Sequence, residues 1–158
     1  MNNPAAEIID IMRERKLTLG AVESATGGLI SHLITDIPGS SDVFQGSIIS
    51  YSNEIKLKIV GVKKATLQQY GAVSSQVARA MAGSGRKVLG VDICITDTGI
   101  AGPGGATTGK PVGLFYLGLS NIDGTFSRKH LFNGTRGENK QQAAQKALMW
   151  VSEYLESL

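Results

Sequence analysis

The sequence predicts an α/β layered domain with a mixed sheet, and three observations lead to this prediction. Short apolar segments alternate with segments of helical periodicity through the first two-thirds of the chain. Residues 112–120 and 125–132 then alternate as strands do, and Asn121-Ile122-Asp123-Gly124 between them is typical of the turn in an antiparallel hairpin. The length of 158 residues and the hydrophobic content of 42% suit one compact domain, which we assign to residues 1–158.

In the first third of the chain, the spacing of apolar residues separates helices from strands. Residues 4–16 place apolar side chains three and four positions apart, which predicts a surface helix. Residues 17–22 are short and apolar, as a buried strand is, and a turn at 24–28 leads into a second helical segment at 29–34. Residues 43–51 are rich in β-branched and aromatic residues, which predicts the second strand.

The middle of the chain predicts three further helices and a strand. Two short helices are expected from about residue 53 through 59 and from 63 to 70, because a glycine follows each of them. A longer helix capped by Ser74 or Ser75 comes next. Residues 91–98 predict a strand from their isoleucine and valine content, and the chain closes with a helix from position 136 onward.

Charge and cysteine content exclude several classes of protein. The net charge of +3 is small and the basic residues are scattered, so we expect no nucleic-acid partner. The one cysteine, Cys94, cannot form an internal disulfide, and the sequence shows neither a leader nor a membrane span, so we expect a cytoplasmic protein. His32 and His130 stand far apart without acids or cysteines beside them, so we expect no metal site.

Two serines, a tyrosine and a lysine between residues 21 and 56 form a candidate catalytic group. A serine beside a partly desolvated lysine is one way to build a nucleophile without histidine, because burial lowers the lysine pKa until the amine can accept the serine proton. The candidates are Ser24, Ser41, Tyr51 and Lys56. Each has a structural alternative: Ser24 as a helix cap, Ser41 as part of an ordinary turn, and Lys56 as a surface lysine paired with a glutamate.

Three further segments could bind an anion or a developing oxyanion. Thr26-Gly27-Gly28 has small side chains that leave backbone N–H groups accessible, and the glycine-rich loop from Gly99 to Gly105 could wrap a phosphate in the same way. That loop matches neither a Walker loop nor a dinucleotide fingerprint. Arg136, at the start of the last helix, could clamp a phosphate or carboxylate, and its alternative is a surface salt bridge.

In this order, these segments resemble the C-terminal domain family of the competence-damage-inducible protein CinA, which includes standalone nicotinamide mononucleotide deamidases. The resemblance spans nearly the whole chain. It rests on Glu23-Ser24-Ala25-Thr26-Gly27-Gly28, Pro38-Gly39-Ser40-Ser41, Tyr51-Ser52-Asn53-Glu54-Ile55-Lys56, Gly71-Ala72-Val73-Ser74, Gly99-Ile100-Ala101-Gly102-Pro103-Gly104-Gly105, Lys110-Pro111-Val112-Gly113 and Gly134-Thr135-Arg136.

The resemblance implies a fold and an activity. The fold is a three-layer α/β/α sandwich with a mixed, mostly parallel sheet of about five strands. The activity is hydrolysis of the carboxamide of nicotinamide mononucleotide to nicotinic acid mononucleotide and ammonia, in pyridine nucleotide recycling, without metal or cofactor. The resemblance also implies a homo-oligomer, and the chain is similar to the standalone form rather than to long CinA proteins with an added N-terminal domain. The alternative function is a non-catalytic regulatory or partner-binding domain linked to competence and DNA damage.

The resemblance also implies roles for individual residues. Lys56 would be the general base, Ser41 the first choice of nucleophile, and Ser24 either its helper in the oxyanion site or the true nucleophile. Tyr51 would orient or relay the proton. Substrate-binding positions would be Thr26, Gly27, Gly28, Asn53, Gly102, Gly104, Gly105 and Arg136. Lys140 stands where relatives are expected to carry a second arginine, and a lysine cannot supply the same bidentate fork.

Overall fold

The fold alternates helices and strands before it ends in a hairpin and a long helix. A computed structural model describes residues 3–158. Its helices are α1 (Pro4–Arg15), α2 (Leu29–Thr35), α3 (Asn53–Ile55), α4 (Lys64–Tyr70), α5 (Ser75–Leu89) and α6 (Arg136–Glu156). Its strands are β1 (Leu19–Glu23), β2 (Phe44–Ile49), β3 (Ile93–Gly99), β4 (Leu114–Asn121) and β5 (Gly124–Leu131).

The five strands form one mixed sheet in the order β2-β1-β3-β4-β5. Strand β1 pairs in parallel with β2 and with β3, while β4 is antiparallel to both β3 and β5. Four strands therefore run in one direction and only β4 runs in the other. Helices cover both faces, so the α/β/α sandwich and the mixed, mostly parallel sheet expected from the sequence are confirmed.

Alternate residues of the central strands enter two separate cores. Leu19 and Ala21 of β1 pack with α1, α2 and α6 on one face of the sheet. Val22 of β1 and Cys94 of β3 pack with α5 on the other. This alternation follows from the pleat of a strand, and burial on both faces explains why residues 19–22 of β1 and 93–95 of β3 are continuously apolar.

The helix expected at residues 53–59 takes an unusual form. Only Asn53–Ile55 are α-helical, and a π-helical turn over Lys56–Val60 follows. Gly61 ends this turn with φ 90°, and the backbone N–H groups of Gly61 and Val62 both bind the carbonyl oxygen of Lys56. π-Turns are rare and often occur at functional sites.

The strands that run in one direction bring four connecting segments to one edge of the sheet. Strands β1, β2 and β3 end at this edge, and so does β5, because β4 reverses the direction between β3 and β5. Ligands of α/β sheets commonly bind at the carboxyl ends of parallel strands. The segments after β1, β2, β3 and β5 contain Ser24, Lys56, the glycine-rich loop and Arg136.

Candidate active site

A cleft of about 320 Å³ lies at the carboxyl edge of the sheet. This volume is within the range of small-molecule sites, roughly 300–1,000 Å³. The polar side chains that line the cleft are those of Ser24, Tyr51, Asn53, Lys56, Thr98 and Arg136. Small and apolar residues complete the wall: Ala25, Ala72, Val73, Gly99, Ile100, Ala101, Gly102, Gly104 and Gly105.

Lys56 is buried at this cleft and contacts the hydroxyl group of Ser24. Only 1% of its surface is exposed, and its Nζ lies 2.9 Å from Ser24 Oγ and 2.6 Å from the carbonyl oxygen of Ser50. Burial lowers the pKa of the Lys56 ammonium, while the charge of Asp97 acts in the opposite direction. An amine with this contact and a lowered pKa can accept a proton from a serine hydroxyl group.

The surface lysine of this segment is Lys58, not Lys56. Lys58 forms an exposed ion pair with Glu54 one helical turn earlier. The alternative in which Lys56 is solvated and paired with a glutamate is therefore wrong. The π-turn that begins at Lys56 turns that side chain inward while its neighbour two residues later stays in solvent.

Ser24 is held by its backbone, and its hydroxyl group does not cap a helix. Its N–H donates to Asp97 Oδ1 at 3.0 Å, and the N–H of Thr26 donates to Asp97 Oδ2 at 3.1 Å. The N-cap of α2 is Gly28, with φ 105°. The cap alternative for Ser24 is therefore wrong as well, and its Oγ faces Lys56 instead.

Glu23, the residue before Ser24, fastens the start of α2. Its buried carboxylate accepts hydrogen bonds from the backbone N–H groups of Gly28, Ile30 and Ser31 and from the Ser31 hydroxyl group. A negative charge at this position also suits the positive end of the helix. The turn that carries Ser24 is thus fixed at both ends by a carboxylate.

Asp97, on β3, is the second buried carboxyl group of the site. Val22 pairs with Thr96 across β1 and β3, so the next residues of the two strands, Glu23 and Asp97, are neighbours as well. Burial raises the pKa of Asp97 to about 6, against the lowering effect of its hydrogen bonds from Thr26 and Ser24. The hydroxyl group of Thr26 lies between the two carboxyl groups.

Arg136 connects the start of α6 with the glycine-rich loop and with Tyr51 at the rim of the cleft. Its guanidinium donates to the carbonyl oxygen of Gly102 at 2.8 Å and to the Tyr51 hydroxyl group at 3.1 Å. Asn139, one turn later in α6, is fully buried and donates to the carbonyl oxygen of Ala101 at 3.0 Å while accepting from Gly134 N–H at 2.9 Å. The glycine-rich loop is therefore tied to the start of α6 by two side chains.

Several backbone N–H groups of the cleft are free to bind a ligand. Within residues 3–158, no acceptor is bound by the N–H of Ala25, which follows Ser24, or by those of Gly102, Gly104 and Gly105. An N–H group directly after a nucleophile is one of the usual donors to an oxyanion. These loop residues line the cleft, so their N–H groups are candidate donors to an anionic part of a ligand.

The structure brings most of the sequence-predicted residues together. The cleft is lined by Ser24, Tyr51, Asn53, Lys56, Gly102, Gly104, Gly105 and Arg136. Thr26, Gly27 and Gly28 lie instead in a neighbouring groove with Lys140. Their N–H groups do not remain open to an anion, because they donate to Asp97, to the Ser24 carbonyl oxygen and to Glu23 respectively.

Ser41 lies apart from the cleft. It is exposed in the short 3₁₀ turn Ser40–Asp42 that precedes β2, whereas Ser24 follows the carboxyl end of β1. Strands β1 and β2 are parallel, and six residues of strand span roughly 20 Å, so Ser41 and Lys56 lie at opposite edges of the sheet. This placement corrects the first choice of nucleophile, since a base must lie within hydrogen-bond reach of its serine.

Sequence reasoning missed three polar residues that organise the site. They are Asp97, Asn139 and Thr98, whose hydroxyl group donates to the Ala72 carbonyl oxygen. The available signal was Asp97 itself, an acid between two threonines inside the strand expected at 91–98, because an acid is almost never fully buried without a partner. Asn139 gave no such signal, since it stands among polar residues at the start of α6.

Among residues 3–158, no three histidine, cysteine, aspartate or glutamate side chains are grouped as metal ligands. No helix in the same range has the length and apolar character needed to cross a membrane.

Comparison with known proteins identifies the family. A model of the CinA C-terminal domain matches residues 1–155. The chain belongs to the CinA C-terminal domain family. A CinA-like protein of Leptospira interrogans is 44% identical over 153 residues, which cover 96% of this chain and 37% of that protein. A Moorella thermoacetica protein named after competence and damage induction is 50% identical over 144 residues, which cover 90% of this chain and 35% of that protein.

Solved structures of this family share the fold. The crystal structure of a competence/damage inducible protein from Agrobacterium tumefaciens is 31% identical with a TM-score of 0.92, covering 99% of this chain and 97% of that one. A CinA superfamily protein from Klebsiella pneumoniae, at 23% identity, has a TM-score of 0.95 with each chain covered completely. By contrast, the chain spans about a third of the length of the curated relatives it matches.

Proposed function

We propose that this chain is an amidohydrolase that converts nicotinamide mononucleotide to nicotinic acid mononucleotide and ammonia, with Ser24 as nucleophile and Lys56 as general base. The observation that supports this most directly is the 2.9 Å contact between Lys56 Nζ and Ser24 Oγ in a cleft. A buried lysine is costly to keep, and no carboxylate forms an ion pair with it among residues 3–158. A group of this kind at a cleft is a candidate for function.

The proposed reaction has two halves. Lys56 Nζ takes the proton of Ser24 as Oγ attacks the carboxamide carbon, and the Ala25 N–H stabilises the negative oxygen that forms. The carbon–nitrogen bond then breaks, and the nitrogen leaves as ammonia with the proton held by Lys56. Water, activated by the neutral lysine, attacks the acyl-serine and releases the carboxylic acid product, and the proton returns to Ser24.

The rest of the cleft suits the nucleotide part of this substrate. The free N–H groups of Gly102, Gly104 and Gly105 and the guanidinium of Arg136 are donors for a phosphate. The apolar surface of Ala72, Val73 and Ile100 can face a pyridine ring. Tyr51, which is 64% exposed at the rim, is proposed to position the substrate together with Arg136.

The test is ammonia release from nicotinamide mononucleotide by purified protein. Ser24→Ala and Lys56→Ala should each lower kcat by at least about 10³-fold, as loss of a nucleophile or its base does. The matched controls are Lys58→Ala, an exposed lysine two residues from Lys56, and Ser41→Ala, an exposed serine. Both controls should retain turnover.

Two outcomes would contradict the proposal. Turnover lost in Ser41→Ala but kept in Ser24→Ala would restore Ser41 as the nucleophile. No turnover in the unmodified protein would favour the non-catalytic partner-binding alternative.

The expected homo-oligomer and cytoplasmic location are part of the same proposal. The molecular mass in solution, measured by light scattering, tests the homo-oligomer.

A further inference from the structure

Glu23, Thr26 and Asp97 form a buried cluster directly behind Ser24. All three are 1% exposed or less. The hydroxyl oxygen of Thr26 lies 2.6 Å from Glu23 Oε1 and 2.5 Å from Asp97 Oδ1. A single hydroxyl group is therefore in hydrogen-bond contact with two carboxyl groups.

The two contacts of the Thr26 hydroxyl group need two protons, one for each pair of oxygen atoms. Two ionised carboxylates and one hydroxyl group provide only one. The Thr26 hydroxyl group carries one proton and can donate it to only one acid. If both acids were ionised, the second contact would bring two oxygen atoms together with no proton between them, inside the protein where such a contact is costly. One of the two acids must then be protonated and donate to the Thr26 oxygen.

The other contacts of the two acids indicate which one holds the proton. Glu23 accepts from four further donors, the N–H groups of Gly28, Ile30 and Ser31 and the hydroxyl group of Ser31, all of which favour its ionised form. Asp97 accepts from only two others, the N–H groups of Ser24 and Thr26. The extra proton therefore belongs on Asp97.

We propose that Glu23 and Asp97 share one proton through the Thr26 hydroxyl group, and that Asp97, in its neutral form, is the positioning residue that holds Ser24. Burial and the charge of Glu23 raise the pKa of Asp97 to about 6, against the lowering effect of the hydrogen bonds from Thr26 and Ser24. In the arrangement proposed here the Thr26 hydroxyl group donates to Glu23 instead, so its lowering effect is absent and only the N–H groups of Ser24 and Thr26 still favour the ionised form of Asp97.

The consequence for catalysis rests on the proposed function. The charged groups that act on Asp97 are Glu23, from β1, and Lys56, from the π-turn. An ionised Asp97 would raise the pKa of Lys56 and keep that amine protonated. A neutral Asp97 can orient the Ser24 turn through its oxygen atoms while Lys56 remains a free base.

The proton itself can be detected without any substrate. Asp97 is the one buried aspartate among residues 3–158, so its signal separates from those of the exposed aspartates in a ¹³C NMR titration of protein labelled at the aspartate carboxyl groups. The expected result is an Asp97 carboxyl group that is still protonated at pH 7. An Asp97 signal that is already ionised at pH 7 would overturn the proposal.

Two substitutions of Thr26 test the bridge. Thr26→Val removes the hydroxyl oxygen that accepts the proton and should lower the titration midpoint of Asp97, whereas Thr26→Ser should keep it. If the hydroxyl group merely donated to Asp97, Thr26→Val would raise the midpoint, and this result would overturn the proposal. If Thr26→Val fails to fold, the titration of the wild-type protein still tests the proposal.

The pH dependence of turnover measures how the protonation of Asp97 affects Lys56. In Thr26→Val, the ionised Asp97 should raise the pKa of Lys56 and move the acidic limb of kcat/KM to higher pH, with the limb of Thr26→Ser unmoved. A limb that stays in place in Thr26→Val refutes the link to Lys56. If the wild-type protein has no turnover, the proposed function fails, while the NMR titration still decides whether the proton is shared.

Discussion

Replacing Asn139 with alanine should weaken the fold and loosen the substrate cleft together. The side chain is fully buried and makes two hydrogen bonds to backbone, to the Ala101 carbonyl oxygen and from the Gly134 N–H. A buried polar group left without its partner costs roughly 1–3 kcal/mol, and alanine returns at most about 0.7 kcal/mol of helix propensity. Two backbone groups lose their partner here, so the free energy of unfolding should fall by roughly 1–5 kcal/mol.

Urea denaturation measures this loss directly. The urea midpoint should fall with an unchanged dependence on urea concentration, and in thermal unfolding a chain of this size should show a Tm lower by roughly 2–20 °C. The matched control is Gln142→Ala, an exposed position in the same helix, which should be close to neutral. Because Asn139 ties the loop after β3 to α6, KM should also rise more than kcat falls. A difference from the control below about 0.5 kcal/mol would refute the reasoning, since the two buried bonds would then contribute nothing net.

Three further changes have defined outcomes. Gly85→Ala should destabilise the protein by about 1–3 kcal/mol in the same urea assay, since the new Cβ would overlap Val22. At Gly137 an added Cβ meets no atom within 4 Å, so Gly137→Ala should stabilise the protein by about 0.5–1 kcal/mol. Burial raises the pKa of the Cys94 thiol to about 12, so a thiol reagent at pH 8 should modify it only as the protein unfolds, and fast labelling of the native state would contradict this. Burial lowers the pKa of Lys56 below 10.5, so the unfolded chain binds that proton more tightly than the folded chain. The free energy of unfolding of the wild type should therefore rise with pH towards 10.5 relative to that of Lys56→Met. Equal pH dependence of the two free energies would contradict this.

Most of the fold could be predicted from local sequence patterns. The apolar periodicity of residues 4–16 corresponds to α1, and the turn sequence Asn121-Ile122-Asp123-Gly124 joins β4 to β5 as expected. These features depend on near neighbours in the chain, which is why they can be inferred from the sequence. The π-turn at Lys56–Val60 could not be inferred, because the residue types at these positions also suit an ordinary helix.

The candidate site was only partly predictable. Turn and cap preferences do not separate Ser24 from Ser41, since each stands in a glycine-containing turn ahead of a regular element. What separates them is the direction of parallel strands: Ser24 follows the end of β1, and Ser41 precedes the start of β2. Asp97 is separated from Ser24 by 73 positions in the chain, so no local pattern joins the two residues.

The sequence by itself determined the order of helices and strands, the family resemblance, and the chemical groups from which a hydrolytic site could be built. Only the tertiary structure decided which of these groups meet. The order of strands in the sheet places Ser24, Lys56 and Asp97 at one edge, and burial between the layers lowers the pKa of the lysine and raises that of the acid. Both effects arise from the removal of water around residues distant in the chain, which local propensities do not encode.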